Sequence, residues 1–226
     1  MCALLSYYMI YTTFKNILKD NLFFFIPFLV WVIIGGILLL NYSTNDLFFS
    51  VNQSYNPFLD KLNTVLSAYG RGDVIPFVLV SLLLIPAYRN RNYVLTTLIF
   101  GLMVPSIIFL SKMFFNTPRP LKYYGLEKVH TVPWLDNLFE TSFPSGHTVG
   151  AFGFFLLLSL YLPKSLKPFS FLFFLLALAC AYSRLYLGQH FFSDVYAGSI
   201  IGTVVTMLIF WLGIHYVKPK NTAKHV

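Results

Sequence analysis

Apolar residues in this chain come in long unbroken blocks rather than in alternation. Four blocks, 22–41, 93–115, 166–187 and 195–217, are each long enough for a helix to cross a bilayer, which takes about 20 residues. A fifth, 74–88, is shorter and carries Pro76 and Pro86. A sixth, 148–162, reaches full length if residues 144–147 form its mouth. The pattern predicts an all-α integral membrane protein, a bundle of six transmembrane helices in which the second has the least defined limits. The first eleven residues are apolar but too short to span, and Lys15, Lys19 and Asp20 follow them. A secretory signal has its basic residues first, so an N-terminal interfacial segment, 1–20, is expected to be retained. No internal repeat or low-complexity tract divides the chain, which predicts one domain over 1–226.

Composition strengthens this picture. Of 226 residues, 57% are hydrophobic and only 11% charged, against roughly 25% charged in ordinary soluble domains. Cys2 and Cys180 lie far apart, and neither a disulfide framework nor a metal knuckle is expected.

The charges give the orientation. The N-terminus, 89–92, 163–167 and the C-terminal tail hold nine of the sixteen basic residues and a single acid, Asp20. Segments 42–73, 112–147 and 183–194 hold the other basic residues and every other acid. Short basic loops stay cytoplasmic. Both termini are therefore expected in the cytoplasm, with the long loops, including 116–143, on the outer side of the cytoplasmic membrane. The net charge of +8 is a topology signal with some attraction to anionic head groups. Basic residues scattered in short loops do not suit nucleic acid.

Three polar stretches remain on the outward side. In "KMFFNTPRP", Lys112 closes the third helix, and Arg119 is held between Pro118 and Pro120, which restrict its backbone. In "FPSGHT", Ser145 and Gly146 open the fourth helix. A helix N-terminus attracts anions, Gly146 permits close approach, and His147 can carry a proton near pH 7. In "SRLYLGQHFFSDV", Arg184 ends the fifth helix, Gly188 can close it, and His190 and Asp194 lie four apart. A carboxylate on one imidazole nitrogen frees the other as nucleophile or base. Each stretch alone also fits an ordinary helix end. Together they place three cations, two histidines and one carboxylate on one side of a membrane, where polar groups are costly. Such a set suits phosphate. It repels a divalent metal, and no metal-binding motif is present.

The spacing Lys112-x6-Arg119-Pro120, Pro144-Ser145-Gly146-His147 and Ser183-Arg184-x5-His190-x3-Asp194 resembles the three-part signature of the type-2 phosphatidic acid phosphatase superfamily. The resemblance implies hydrolysis of a lipid phosphate without metal or cofactor. In it, His190 is the nucleophile, Asp194 orients it, and His147 acts as general acid and then base. Lys112, Arg119, Ser145, Gly146 and Arg184 hold the phosphoryl oxygens. The implied partners are a lipid phosphate substrate and membrane lipids, with no obligatory protein partner. Undecaprenyl pyrophosphate, phosphatidylglycerol phosphate, phosphatidic acid and lipid A stay open as substrates. Phosphoryl transfer between lipids, or lipid-phosphate transport without cleavage, are the alternatives. Tyr123, Tyr124 and Trp134 suit an interfacial lid, and Lys122 and Lys128 could reach a second phosphate or sugar.

Overall fold

The computed structural model describes residues 14–89 and 91–216. The expected N-terminal segment before residue 14, Cys2 and the lysines of the C-terminal tail lie outside the described residues. Within them the chain is all-helical. The helices are α1 (Phe14–Asp20), α2 (Leu22–Asn41), α3 (Thr44–Asn52), α4 (Pro57–Ala68), α5 (Val74–Leu82), α6 (Arg91–Phe115), α7 (Pro120–Tyr124), α8 (Gly146–Tyr161), α9 (Ser170–Tyr186) and α10 (Phe192–Tyr216).

Helices α2, α6, α9 and α10 are parts of segments long and apolar enough to cross a membrane. Helix α8 has 16 residues and is apolar on every side, and nearly all of it is buried. A helix without a polar face belongs at the centre of a bundle. Helix α8 occupies that place, packed chiefly on α9 and α10 and also on α6. The α8–α10 contact is close because glycines face backbone. A Cβ at Gly202 would stand 2.4 Å from the Val149 carbonyl, and one at Gly198 would stand 3.0 Å from that of Ser145. Small residues at such crossings let membrane helices approach. Helices α2 and α6 lie at the periphery and expose large apolar side chains such as Leu29, Ile33, Leu102 and Phe109.

Two expectations change. The span expected over 74–88 is helical only for the nine residues of α5. A 3₁₀ turn, Pro86–Tyr88, follows, and Ile85 before it is extended (φ −85°, ψ 120°). A proline disfavours α geometry in the residue before it, which ends that helix. Nine residues rise about 14 Å, so α5 alone is shorter than a bilayer core. Segment 42–73, expected as loop, holds α3 and α4. Their starts carry local signals. Ser43 and Asp46 form a reciprocal capping box. Asn56 caps α4 by accepting from the N–H groups of Phe58 and Leu59, with Pro57 in the first turn.

Candidate active site

Three turns bring the polar stretches together. The first is the end of α9. Gly188 has φ +67°. The N–H of Gly188 donates to the Leu185 carbonyl at 3.0 Å, and that of Gln189 to the Arg184 carbonyl at 3.0 Å. This pair of bonds is a Schellman closure. It reverses the chain sharply, so that Arg184 on the helix and His190 beyond it face one space. The second is the start of α8, where the Ser145 N–H donates to the Asp194 carbonyl at 3.1 Å. The PSGH turn is thereby fixed to the first turn of α10. The third is the neck of the outer loop. The Ser142 N–H donates to the Thr117 carbonyl at 2.8 Å, and the Arg119 N–H to that of Phe139 at 2.9 Å. Those bonds hold Arg119 beside residues 139–142.

Lys112, Arg119, Gly146, His147, Arg184 and His190 all line one cavity of about 590 Å³. Its remaining wall is largely apolar, from α5 (Ile75, Leu79) and from α6 between Thr97 and Phe109. Thr97 to Lys112 is fifteen residues, or about 22 Å along a helix. The cavity is therefore polar at its outer-loop end and greasy along its length.

At the polar end, Arg119 Nη1 lies 3.3 Å from His190 Nε2. Its guanidinium is also anchored by Nε donating to the Glu140 carbonyl at 2.8 Å and Nη1 to that of Gln189 at 3.0 Å. Lys112 Nζ donates to the Thr141 carbonyl at 3.0 Å. Arg184 donates from Nη1 to Ser67 Oγ. Its buried Nε has no hydrogen-bond partner among the described residues. On the far side of the imidazole, Asp194 Oδ2 stands 3.5 Å from Nδ1. Burial, with positive charge added by Arg119, Arg184 and Lys112, holds the His190 imidazole well below its ordinary value of 6.5. Both effects favour the neutral imidazole, the form that has a lone pair for attack.

The family model of the PAP2 superfamily matches residues 91–216, which is more than half of the chain. This chain belongs to the PAP2 superfamily. The solved structure of LpxE from Aquifex aeolicus is similar, with a TM-score of 0.62 and 29% identity over 75% of this chain and 96% of that one. A second similar structure is the first transmembrane PAP2-type phosphatidylglycerolphosphate phosphatase from Bacillus subtilis. Its TM-score is 0.59 at 20% identity, over 80% of this chain and 91% of that one, and it supports the fold alone. The bacitracin transport permease protein BcrC of Bacillus licheniformis is 34% identical over 85 residues, which are 36% of this chain. The match spans about two-fifths of that relative's length (40%).

Not every expected PAP2 signature residue reaches the cavity. Ser145 is fully buried, accepts from Thr148 Oγ1 at 3.0 Å, and is not part of the cavity wall. Asp194 lies behind His190 and is likewise off that wall. Lys122 pairs with Glu140 on the surface, and Lys128 lines a separate polar pocket of the outer loop. Trp134 is anchored to α4 through Nε1 donating to Thr64 Oγ1 at 3.0 Å. Two residues were missed. Gln189 supplies the carbonyl that Arg119 grips. Ser142, fully buried, donates to Asp194 Oδ2 at 2.5 Å and lies 3.4 Å from His190 Nδ1. Nothing in the sequence marked Ser142 beyond its place two residues before Pro144. Among the described residues, no group of three or more His, Cys, Asp or Glu side chains gathers as metal ligands would.

Proposed function

We propose that this protein is a membrane lipid phosphatase that cleaves a phosphomonoester or pyrophosphate of a lipid through a phosphohistidine on His190. The observation that carries the proposal is the cavity. Three cations and two histidines stand at one end of a long apolar groove, which fits an amphiphile with a phosphorylated head. A tail lies along α5 and α6, and the head reaches Arg119 and His190.

The chemistry follows from the placement. His190 Nε2 attacks phosphorus in line. A P–N bond forms as the bond to the lipid oxygen breaks, and that oxygen takes a proton from His147. Water then attacks phosphorus, giving its proton to His147, and inorganic phosphate leaves as the P–N bond breaks. Positive charge developing on the imidazole is met by Asp194, with Ser142 between them. Lys112, Arg119, Arg184 and the Gly146 N–H hold the equatorial oxygens. Phosphoryl transfer needs mainly such positioning and charge stabilisation, and here protein cations supply it. The Ser145 role is supporting: it shapes the turn that presents Gly146 and His147. The charge asymmetry of the loops supports both termini in the cytoplasm and the site on the outer face of the cytoplasmic membrane.

The test uses the full chain in detergent with a panel of lipid phosphates and pyrophosphates, with and without chelator. Phosphate release that resists chelator and is absent in His190→Ala is expected. Equal release by the variant would overturn the mechanism, and release that requires a second lipid as acceptor would favour transfer. Orientation is tested separately: a cysteine placed in 121–140 should react with an impermeant thiol reagent in intact cells, and labelling only after lysis would reverse the topology.

A further inference from the structure

Asn52 is the last residue of α3, completely buried, and distant in sequence from every stretch that forms the cavity's polar end. Three of its hydrogen bonds go to backbone. Nδ2 donates to the His130 carbonyl at 3.0 Å and to the Tyr186 carbonyl at 2.9 Å, and Oδ1 accepts from the His130 N–H at 2.9 Å. His130 belongs to the outer loop. Tyr186 is the last residue of α9, and its carbonyl is one that the helix leaves unpaired. One amide thus ties α3, the outer loop and the end of α9 together.

The tie bears on the turn that carries the cavity residues. Gly188 lies against the clamped loop: a Cβ there would stand 2.6 Å from Val129 Cγ1, 2.9 Å from the His130 carbonyl and 3.4 Å from Asn52 Nδ2. The loop backbone is therefore the wall against which the Gly188 reversal is pressed. Arg184 and His190 are the two ends of that reversal. A second layer holds the clamp. His130 Nε2 lies 2.8 Å from Asp60 Oδ1, the Tyr186 hydroxyl donates to the same oxygen at 2.7 Å, and the His130 ring stacks on Tyr55 at 3.9 Å.

We propose that Asn52 is a positioning residue for the nucleophile. By fixing the His130 backbone and the Tyr186 carbonyl, it sets the depth of the Gly188 turn and so the placement of His190 Nε2 against Arg119. The inference rests on the phosphatase function proposed above. A shift of about 1 Å in a reacting group can cost on the order of a hundredfold in rate, so a side chain that touches no substrate can govern turnover.

The experiment compares wild type, Asn52→Leu, His190→Ala and Thr64→Val, all as the full chain in detergent. Thr64→Val removes the Trp134 anchor of the same loop, together with a 2.7 Å bond from Thr64 Oγ1 to the Asp60 backbone carbonyl inside α4; it leaves the Asp60 carboxylate and every residue of the turn in place. Asn52→Leu is expected to lower kcat about ten- to a hundredfold, with a much smaller change in KM. Amide exchange at 187–191 should rise in Asn52→Leu, while Thr64→Val should match wild type in both readouts. Wild-type kcat and wild-type exchange at 187–191 in Asn52→Leu would overturn the proposal. So would a rise in KM with kcat unchanged. If wild type releases no phosphate from any lipid, the proposed function fails, and the exchange at 187–191 still decides whether Asn52 holds the turn. Should Asn52→Leu not be recovered folded, Asn52→Asp carries the same test. It is isosteric and retains the acceptor for His130 N–H but faces two carbonyls with an oxygen.

Discussion

Removing the hydroxyl of Ser142 isolates one contact behind the nucleophile. Ser142→Ala deletes a single fully buried oxygen. The backbone N–H of residue 142 keeps its 2.8 Å bond to the Thr117 carbonyl, so the loop neck stays in place. What is lost is the 2.5 Å donation to Asp194 Oδ2 and the bridge to His190 Nδ1 at 3.4 Å. Asp194 keeps the Phe191 N–H at 2.9 Å but is left 3.5 Å from the imidazole, at the outer limit of a useful hydrogen bond. A hydrogen bond to a charged group contributes about 1.5–3 kcal/mol, and about 1.4 kcal/mol is tenfold in rate. If the whole contact serves to orient His190, kcat should fall between about tenfold and a hundredfold, with KM changed little. The assay is phosphate release from a lipid phosphate in detergent, with thermal stability measured alongside. Adding Asp194→Asn to the same chain should give less than the product of the two single losses, because both act through one imidazole. A folded Ser142→Ala with wild-type kcat, or strict multiplicativity with Asp194→Asn, would refute this account of Ser142.

Two further outcomes are expected. Arg119→Lys keeps a charge but loses the fork that spans Glu140, Gln189 and His190. Loss of one aligned donor to a transition-state oxygen costs about 2.7–4 kcal/mol, a hundred- to thousandfold in kcat, and a change under threefold would remove Arg119 from the site. His190 is held below its ordinary value of 6.5, so as pH falls through 6.5 it should remain neutral while a free imidazole protonates. Deuteration at its C2 carbon, followed by mass spectrometry, should titrate below pH 6.5, and a midpoint at or above 6.5 would contradict the burial argument.

Much of the site was legible because its chemistry is local in sequence. Lys112, Arg119, His147, Arg184, His190 and Asp194 stand out where charge is otherwise rare, and each sits at a helix end that its neighbours specify. Gly188 illustrates this: a glycine after an apolar run predicts a left-handed closure, and φ +67° is what the turn adopts. The long helices were legible for a similar reason, since apolar length alone decides whether a segment belongs in a bilayer. Helix α5 was misjudged because its apolar run continues past the point where Pro86 breaks the helix. Helices α3 and α4 were missed although Ser43, Asp46, Asn56 and Pro57 announce them. Ser142 and Asn52 were not legible at all, because a buried serine and a buried asparagine look like any loop polar residue until their partners are known.

The amino-acid order by itself determined a membrane-embedded helical bundle and the inventory of cations, imidazoles and carboxylate near its ends. Hydrophobic length and turn chemistry act over a few residues and need no knowledge of the fold. Tertiary structure alone decided which of those groups share a cavity, and that the cavity continues as an apolar groove along α5 and α6. It also decided that Ser142 stands behind the imidazole and that Asn52 ties the end of α9 to the outer loop. Hydrogen-bond geometry between segments separated by tens of residues is set by how α8 packs on α9 and α10, and no local pattern encodes that packing.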